Sequence, residues 1–364
     1  MTPYRLLVVR LGAMGDILHA LPAITALRLM HPLWRIDWVV EPRWRSLLSS
    51  ENPVAICPRS QFENPRTSAQ PVVDNIVEAD TRQWRKDGIR LASARAVARL
   101  RSDLRAVEYD AVLDMQGAIR SAIIARFAGC RRTIGDRNPR ERQARWLYTE
   151  SVEARADHVI DRALELASSI AADPLQMCAP QLPMDPIAET WCDSLLQQNP
   201  AFVLIHPGAG WGAKRWPADR YRAVADWLAQ NAMQVFVNIG PGEEALAQSV
   251  LTGSPRVQAV QSTLPELIAL TRRAALVIGG DTGPLHLACS LGRPVVGVYG
   301  PTDPARNGPY RFPGGAECVV LRTPEQRRDH RRLPDPEPGL LRIEVATVCA
   351  AAERLLAQRY NQQE

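Results

Sequence analysis

The sequence predicts an α/β protein of two facing halves, each with a largely parallel sheet wrapped by helices. Three observations carry this. Apolar runs of strand length alternate with longer stretches of helical spacing. The alternation lapses in a proline-bearing interval over residues 171–199 and then restarts. The 364 residues exceed what a single core usually organises, so two domains are expected.

The elements follow in order. Residues 5–9, RLLVV, read as a buried strand. Residues 17–30 read as a helix with Leu18, Leu21, Ala26 and Leu29 near one stripe; Pro22 inside it asks for a short break or an early turn. Residues 36–40, IDWVV, give the next strand, and strand–helix–strand argues for a parallel unit. Residues 58–80 are polar and proline-bearing and read as an irregular excursion. A basic stretch opening TRQWRK resumes helical spacing after Ile89. DAVLDMQG (110–117) is a strand ending in a turn, and AIRSAIIARFAG a helix that Gly129 stops. Prolines at 174, 180, 183 and 186 mark the connection between halves.

The second half begins with a strand over 201–208, a helix over 217–230 and a strand over 233–240. A helix over 264–274, a strand over 275–280, the helix GPLHLACSLG and a strand over 294–300 follow. The last 25 residues read as one helix. The expected domains are 1–175 and 176–345, with 346–364 as a terminal helix packing back towards the first domain.

Composition excludes several classes. Hydrophobic residues make up 46% and charged residues 23%, which is not a disordered chain. A net charge of +5 suits anionic ligands or a membrane surface without pointing to nucleic acid. The 7 cysteines, at 57, 130, 178, 192, 289, 318 and 349, form no CxxC pair. Neither a disulfide framework nor a zinc cluster is expected, and a reducing compartment fits. The N-terminus enters an apolar run that Arg10 interrupts, so no signal peptide is read. No run approaches the ~18 apolar residues of a membrane span.

Three turns carry the chemistry. In RLGAMGDILHA the only glycines are Gly12 and Gly15, which is neither GxGxxG nor a phosphate loop with its lysine. Asp16 instead sets a carboxylate at a helix N-terminus. It serves there as a cap or as a base that takes a proton from a hydroxyl. His19, three residues on, either orients Asp16 or packs against the core.

In LIHPGAGWGAKRWPADRY (204–221), the amides of Gly208, Ala209 and Gly210 can line an anion site, with Lys214 and Arg215 supplying charge. The plain alternative is an ordinary strand-to-helix turn with solvent-facing bases. In GGDTGPLHLACSLGRPVVGVYGPTDP (279–304), Asp281, Thr282 and Gly283 open a helix that carries His286. Free amides at Thr282 and Gly283 make an anion site, while Asp281 and His286 also read as a cap and a semi-buried histidine. In NIGPGEEAL, Glu243 or Glu244 can accept from a ribose or sugar hydroxyl, or simply cap. The basic set Arg82, Arg85, Lys86, Arg90, Arg101, Arg105 and Arg120, with Trp84 nearby, fits an anionic substrate or lipid headgroups, or a solvated face. Without GxGxxG, a P-loop lysine or an RNA-binding signature, nucleic-acid and dinucleotide readings fall away.

Taken together, RLGAMGDILHALPAI, AKRWP and GGDTGPLHLACSLGRPVVGVYGPTDP, in that order, resemble the ADP-heptose:lipopolysaccharide heptosyltransferases, glycosyltransferase family 9. The resemblance implies a GT-B fold of two facing Rossmann-like domains and inverting transfer from ADP-heptose. The N-terminal motif, YDAVLDMQGAIRSA and RQWRK resemble the type I branch, which acts on the inner-core Kdo of Kdo2-lipid A. HPGAGWGAKRWP is closer to type II, which adds the second heptose.

Carried onto this chain, the resemblance makes Asp16 the base and sets Lys214 beside the donor phosphates. It gives donor binding to Gly208, Ala209, Glu243, Asp281, Thr282, Gly283 and His286. Gly15, His19, Arg82, Arg85, Lys86 and Arg120 are then acceptor-side residues. No DxD-type pair stands near the diphosphate, so no obligatory metal or other cofactor is expected. The implied partners are ADP-heptose, a Kdo2-lipid A type acceptor and the inner-membrane surface, for a cytoplasmic, peripherally bound enzyme. A related transferase with another sugar nucleotide or core acceptor, and a non-catalytic sugar-nucleotide-binding module, are the alternatives.

Overall fold

The computed structural model describes residues 4–51, 66–88, 90–171, 173–196, 201–324 and 333–360. The chain divides into two compact units, Met1–Met184 and Asp185–Glu364, with the division inside the proline-bearing interval.

The first unit contains β1 (Arg5–Val9), α1 (Met14–Met30), β2 (Arg35–Val40), β3 (Asn75–Glu78), α2 (Thr81–Asp87) and α3 (Leu91–Val107). It continues with β4 (Ala111–Asp114), α4 (Ile119–Phe127), β5 (Thr133–Asp136), β6 (Glu150–Val152) and α5 (Val159–Ser168). Its six strands lie in the order β3-β2-β1-β4-β5-β6, every pair parallel. Leu7, Val9, Val39 and Val112 from the strands meet Leu100, Leu104 and Ile124 from α3 and α4 in a dry core.

The second unit contains α6 (Pro186–Leu196), β7 (Phe202–His206), α7 (Ala218–Gln230), β8 (Gln234–Ile239), α8 (Glu244–Val250) and β9 (Val257–Gln261). It continues with α9 (Leu264–Arg273), β10 (Leu276–Gly280), α10 (Gly283–Ser290), β11 (Val295–Val298), α11 (Pro304–Asn307), β12 (Cys318–Leu321) and α12 (Val345–Tyr360). Its order, β12-β11-β10-β7-β8-β9, is again parallel throughout. Counted from its own first strand, this is the winding of the first unit repeated. Val348, Ala352 and Leu355 of α12 join the core of this unit, where the helix packs on α7, β10 and β11.

Two doubly wound parallel sheets are the fold class the sequence predicts. In each sheet the winding reverses direction between two central strands, β1 and β4 in one and β7 and β10 in the other. Loops leaving the carboxyl ends of such strands diverge and open a crevice for ligands.

Several elements differ from expectation. α1 starts at Met14 and runs unbroken through Pro22. Pro22 removes one backbone donor, but residues Ile17 to Arg28 are all buried. Burial on every side, with α5 packed alongside, holds the helix and explains why no clean stripe exists. The basic stretch forms two helices, parted at Gly88, whose φ of +60° suits glycine. Part of the excursion over 58–80 is ordered: Asn75–Glu78 forms the edge strand β3. Residues 58–65 of it, and Ile89, lie outside the described residues.

Candidate functional site

In the second unit the sequence brings three polar side chains into one buried group. Lys214 sits in a 3-10 turn, Gly212–Lys214, between β7 and α7. That turn is pressed against the ends of neighbouring strands: a Cβ on Gly300 would stand 2.9 Å from the Ala213 carbonyl oxygen, and one on Gly280 3.3 Å from that of Lys214. Glycine at 300 lets the turn come this close to the end of β11, and a side chain at 280 would sit tightly against the Lys214 backbone. The Lys214 ammonium pairs with Asp281 Oδ2 and lies 4.1 Å from the centre of the Trp211 ring. His286 Nε2 lies 3.2 Å from the other carboxylate oxygen, Oδ1.

Asp281, Lys214 and His286 are 6%, 8% and 6% exposed. Burial alone would push the Asp281 carboxyl up. The His286 hydrogen bond and the Lys214 charge outweigh it and hold the group below the usual carboxylate range. Asp281 is not the cap of α10: Thr282 is the N-cap residue, and its hydroxyl donates to the Gly280 carbonyl at 3.3 Å. Gly283 and Leu285 present first-turn amides that lack intrahelical acceptors, and Pro284 between them has none. An ammonium and a helix N-terminus therefore converge at the carboxyl ends of β7 and β10.

The next loop adds Glu243. Its Oε2 accepts the Gly240 amide at 3.2 Å, and a Cβ on Gly208 would run into the same carboxylate. Burial raises its pKa, against the lowering effects of the Gly240 amide and Arg215. Glu244, the register alternative, is exposed on α8. Gly208, Ala209, Lys214, Glu243, Asp281, Thr282, Gly283 and His286 thus share one edge of the second sheet.

His206, at the end of β7, is a residue whose environment the sequence did not foretell. It is 3% exposed, and among the described residues neither ring nitrogen has a hydrogen-bond partner. Burial lowers its pKa to about 3. The folded value lies below the unfolded one, so the stability it contributes is present above pH ~6.5 and is lost as pH falls towards 3. His206→Gln is expected to remove roughly 1.4 kcal/mol of acid sensitivity per pH unit in that window. Thermal unfolding between pH 7 and pH 4 measures it; an unchanged slope would rule His206 out as its source.

In the first unit Asp16 is the third residue of α1, not its N-cap. Its Oδ2 accepts the Ala13 amide at 3.0 Å and its Oδ1 pairs with Arg10 at 3.0 Å. Arg10 also donates to the Met115 carbonyl, tying the end of β1 to the end of β4. Gln116 Oε1 accepts the Leu11 amide at 2.9 Å across the same junction. Asp114 beneath accepts from Gln116 N, Gly117 N, Ser121 Oγ and Tyr148 Oη at 2.8–3.2 Å. Gly15 is the second residue of α1, and His19, 8% exposed, sets its ring edge-on to His158 at 6.2 Å.

Glu41, at the end of β2, organises the basic residues nearby. It is 4% exposed, accepts Thr81 Oγ1 at 2.7 Å, and pairs with Arg43 at 3.2 Å and Arg120 at 4.0 Å. Thr81 opens α2, on which Arg82, Arg85 and Lys86 are exposed. Arg10, Glu41, Asp114 and Gln116 escaped the sequence reading. Their signal was position, each at or just past the carboxyl end of β1, β2 or β4. Among the described residues, no three His, Cys, Asp or Glu side chains come together to hold a metal ion.

Lipopolysaccharide heptosyltransferase 1 of Escherichia coli O18:K1:H7 is 30% identical over 332 residues, 88% of this chain and 92% of that protein. The Escherichia coli heptosyltransferase WaaC solved with ADP-2-deoxy-2-fluoro heptose aligns at TM-score 0.74 and 25% identity, covering 96% of this chain and 99% of that one. Escherichia coli ADP-heptose lps heptosyltransferase II shares the fold at TM-score 0.74 with 19% identity, covering 98% and 99%. Similar scores for the two show that the fold does not separate the branches. The family model for glycosyltransferase family 9 (heptosyltransferase) matches residues 97–335, a span that includes the turns of Lys214, Glu243 and Asp281. The chain belongs to that family.

Proposed function

We propose that this chain is an inverting glycosyltransferase that moves heptose from ADP-heptose to the inner-core Kdo of Kdo2-lipid A, at the cytoplasmic face of the inner membrane and without an obligatory metal. The observation that carries the donor half is the buried Lys214–Asp281–His286 group beside the amide-bearing start of α10. It supplies positive charge and N–H donors where a diphosphate leaving group gains charge. Lys214 and the amides near Gly283 take the diphosphate, Asp281 and His286 the heptose side, and Glu243 the ribose. Preference for the Kdo acceptor rests on the type I character of the first-half motifs and on the relatives named heptosyltransferase 1.

In the reaction, Asp16 takes the proton from a Kdo hydroxyl. The hydroxyl oxygen bonds to the anomeric carbon from the face opposite the nucleotide. The bond from that carbon to the β-phosphate oxygen breaks, and ADP leaves with the electron pair. Arg82, Arg85, Lys86 and Arg120 suit the Kdo carboxylate and lipid A phosphates as charged donors.

The test gives purified protein ADP-heptose with either Kdo2-lipid A or the same acceptor already carrying one heptose. Transfer to Kdo2-lipid A is the expected result. Transfer only to the heptose-bearing acceptor would move the chain to the type II branch, and donor binding without turnover would make it a binding module.

A further inference from the structure

Between α2, α3 and α4 the first unit has an open groove of about 790 Å³ that the proposed transfer reaction does not use. Trp84, Val97 and Phe127, all half-buried, form its apolar floor, with Ala94 and Ala98 along one side. Arg90, Arg101 and Arg105 also line it, and no acidic side chain does. Leu91, 66% exposed, lies one helical turn before Ala94 on α3. Ile123, 43% exposed, lies one turn before Phe127 on α4, so the apolar row runs out to the surface on both helices. α2 divides its side chains: Trp84 lines the groove, while Arg82, Arg85 and Lys86 do not.

The region is strongly basic. Residues 81–107 hold seven arginines and one lysine against two aspartates, a net +6 in a chain whose total is +5. Residues 120–145 form a second basic stretch, with eight arginines against two acids, so positive charge gathers on two neighbouring stretches of the first unit while the rest of the chain is net acidic. An apolar floor lined also by three arginines fits a ligand with a hydrocarbon body and an anionic head. Positive charge alone would suit a free phosphate. Arg90 also pairs with Asp87 at 3.4 Å, and a bare hydrocarbon would make no use of the charge of any of the three.

We propose that this groove seats an acyl chain of an anionic membrane phospholipid, with Arg90, Arg101 and Arg105 around its phosphate, and so docks the first unit on the membrane. Attraction to the anionic surface draws the chain to the membrane, and the apolar floor receives the acyl chain without exposing it to water. The proposal deepens the reading of the chain as a peripherally bound transferase and rests on it.

The test is co-sedimentation of the full chain with vesicles of phosphatidylglycerol and phosphatidylcholine, with vesicles of phosphatidylcholine alone, and in the presence of excess inorganic phosphate. The wild type is expected to bind the first only, and phosphate is not expected to displace it. Ala94→Glu and Ala98→Glu place a carboxylate in the groove at exposed helical positions. Each is expected to weaken vesicle binding by about ten-fold or more, as is Arg101→Gln. Ala96→Glu, the same charge change on the same helix outside the groove, is expected to cost markedly less.

Equal losses for Ala96→Glu and Ala98→Glu would reduce the effect to surface charge and overturn the groove. So would displacement by phosphate, or failure of the wild type to bind. Transfer to a soluble, acyl-free acceptor is expected to be unchanged in Ala94→Glu and Ala98→Glu. Lack of transfer by the wild type, with groove-dependent vesicle binding intact, would strike the transferase reading alone.

Discussion

Asp16→Asn is expected to lower kcat for heptose transfer by about 10²–10⁴-fold while leaving the affinity for ADP and ADP-heptose unchanged. The substitution is nearly isosteric, and the Asn amide oxygen can still accept the Ala13 amide that Oδ2 holds at 3.0 Å, so the start of α1 keeps its cap. Arg10 loses its ion pair but retains the Met115 carbonyl, which continues to tie β1 to β4. What disappears is a group able to take a proton from an attacking hydroxyl. The residues proposed for the donor all belong to the second unit, so calorimetry with ADP separates loss of chemistry from loss of the site. A transfer rate comparable to wild type would reduce Asp16 to its local role as helix cap and partner of Arg10. Thermal unfolding of the same variant guards the interpretation, since a cap left in place should keep the midpoint close to that of wild type.

Much of this was legible because each half repeats one physical pattern. Strands buried on both faces, such as RLLVV and FVLIH, show as continuous apolar runs, and each glycine-bearing turn falls after one of them. What hid were elements whose stability comes from elsewhere. β3, NIVE, is a half-polar edge strand of four residues and gains its place by pairing with β2 and by burying Val77 in the core. The strand expected over 36–40 begins one residue earlier, at Arg35, a charged residue with the look of a surface position. In the fold Arg35 and Asp37 are both buried, with Arg35 donating to Asp37 at 2.9–3.1 Å and Tyr109 donating to it at 2.7 Å. No local pattern shows that two charges will satisfy one another in a core.

The same limit applies at the site. Lys214 and Asp281 are 67 residues apart, and their pairing follows from β7 and β10 being neighbours in the sheet. Glu41 is hidden in the sequence for a related reason. One carboxylate after a strand carries no signal until the fold brings Thr81, Arg43 and Arg120 to it. Motif order could suggest the family and the loops. The partners within each loop needed the topology.

Asp281→Ala is expected to destabilise the second unit by about 3–5 kcal/mol, because it leaves the Lys214 ammonium buried with no counter-charge. Removal of both charges in Lys214→Met/Asp281→Ala should recover most of that loss, since a buried pair replaced by apolar groups is close to neutral. Donor binding should behave differently, failing in the single and the double variant alike if the two side chains handle the diphosphate sugar. Urea unfolding and calorimetry with ADP, run side by side, make the distinction; recovery of both stability and affinity in the double variant would leave the pair a structural role only. The pH dependence gives a further check. The Asp281 carboxyl is held below the usual range by His286 and Lys214 against the opposing effect of burial. Its folded pKa is therefore lower than its unfolded value near ~3.9, and its stabilisation is full above that value and lost as pH falls through the folded one. The stability gap between wild type and Asp281→Ala should accordingly stay level from neutral pH to about 5 and close only in more acidic solution. A gap that narrows between pH 8 and 6 would mean that another group, not the Asp281 carboxylate, holds the Lys214 turn against β10.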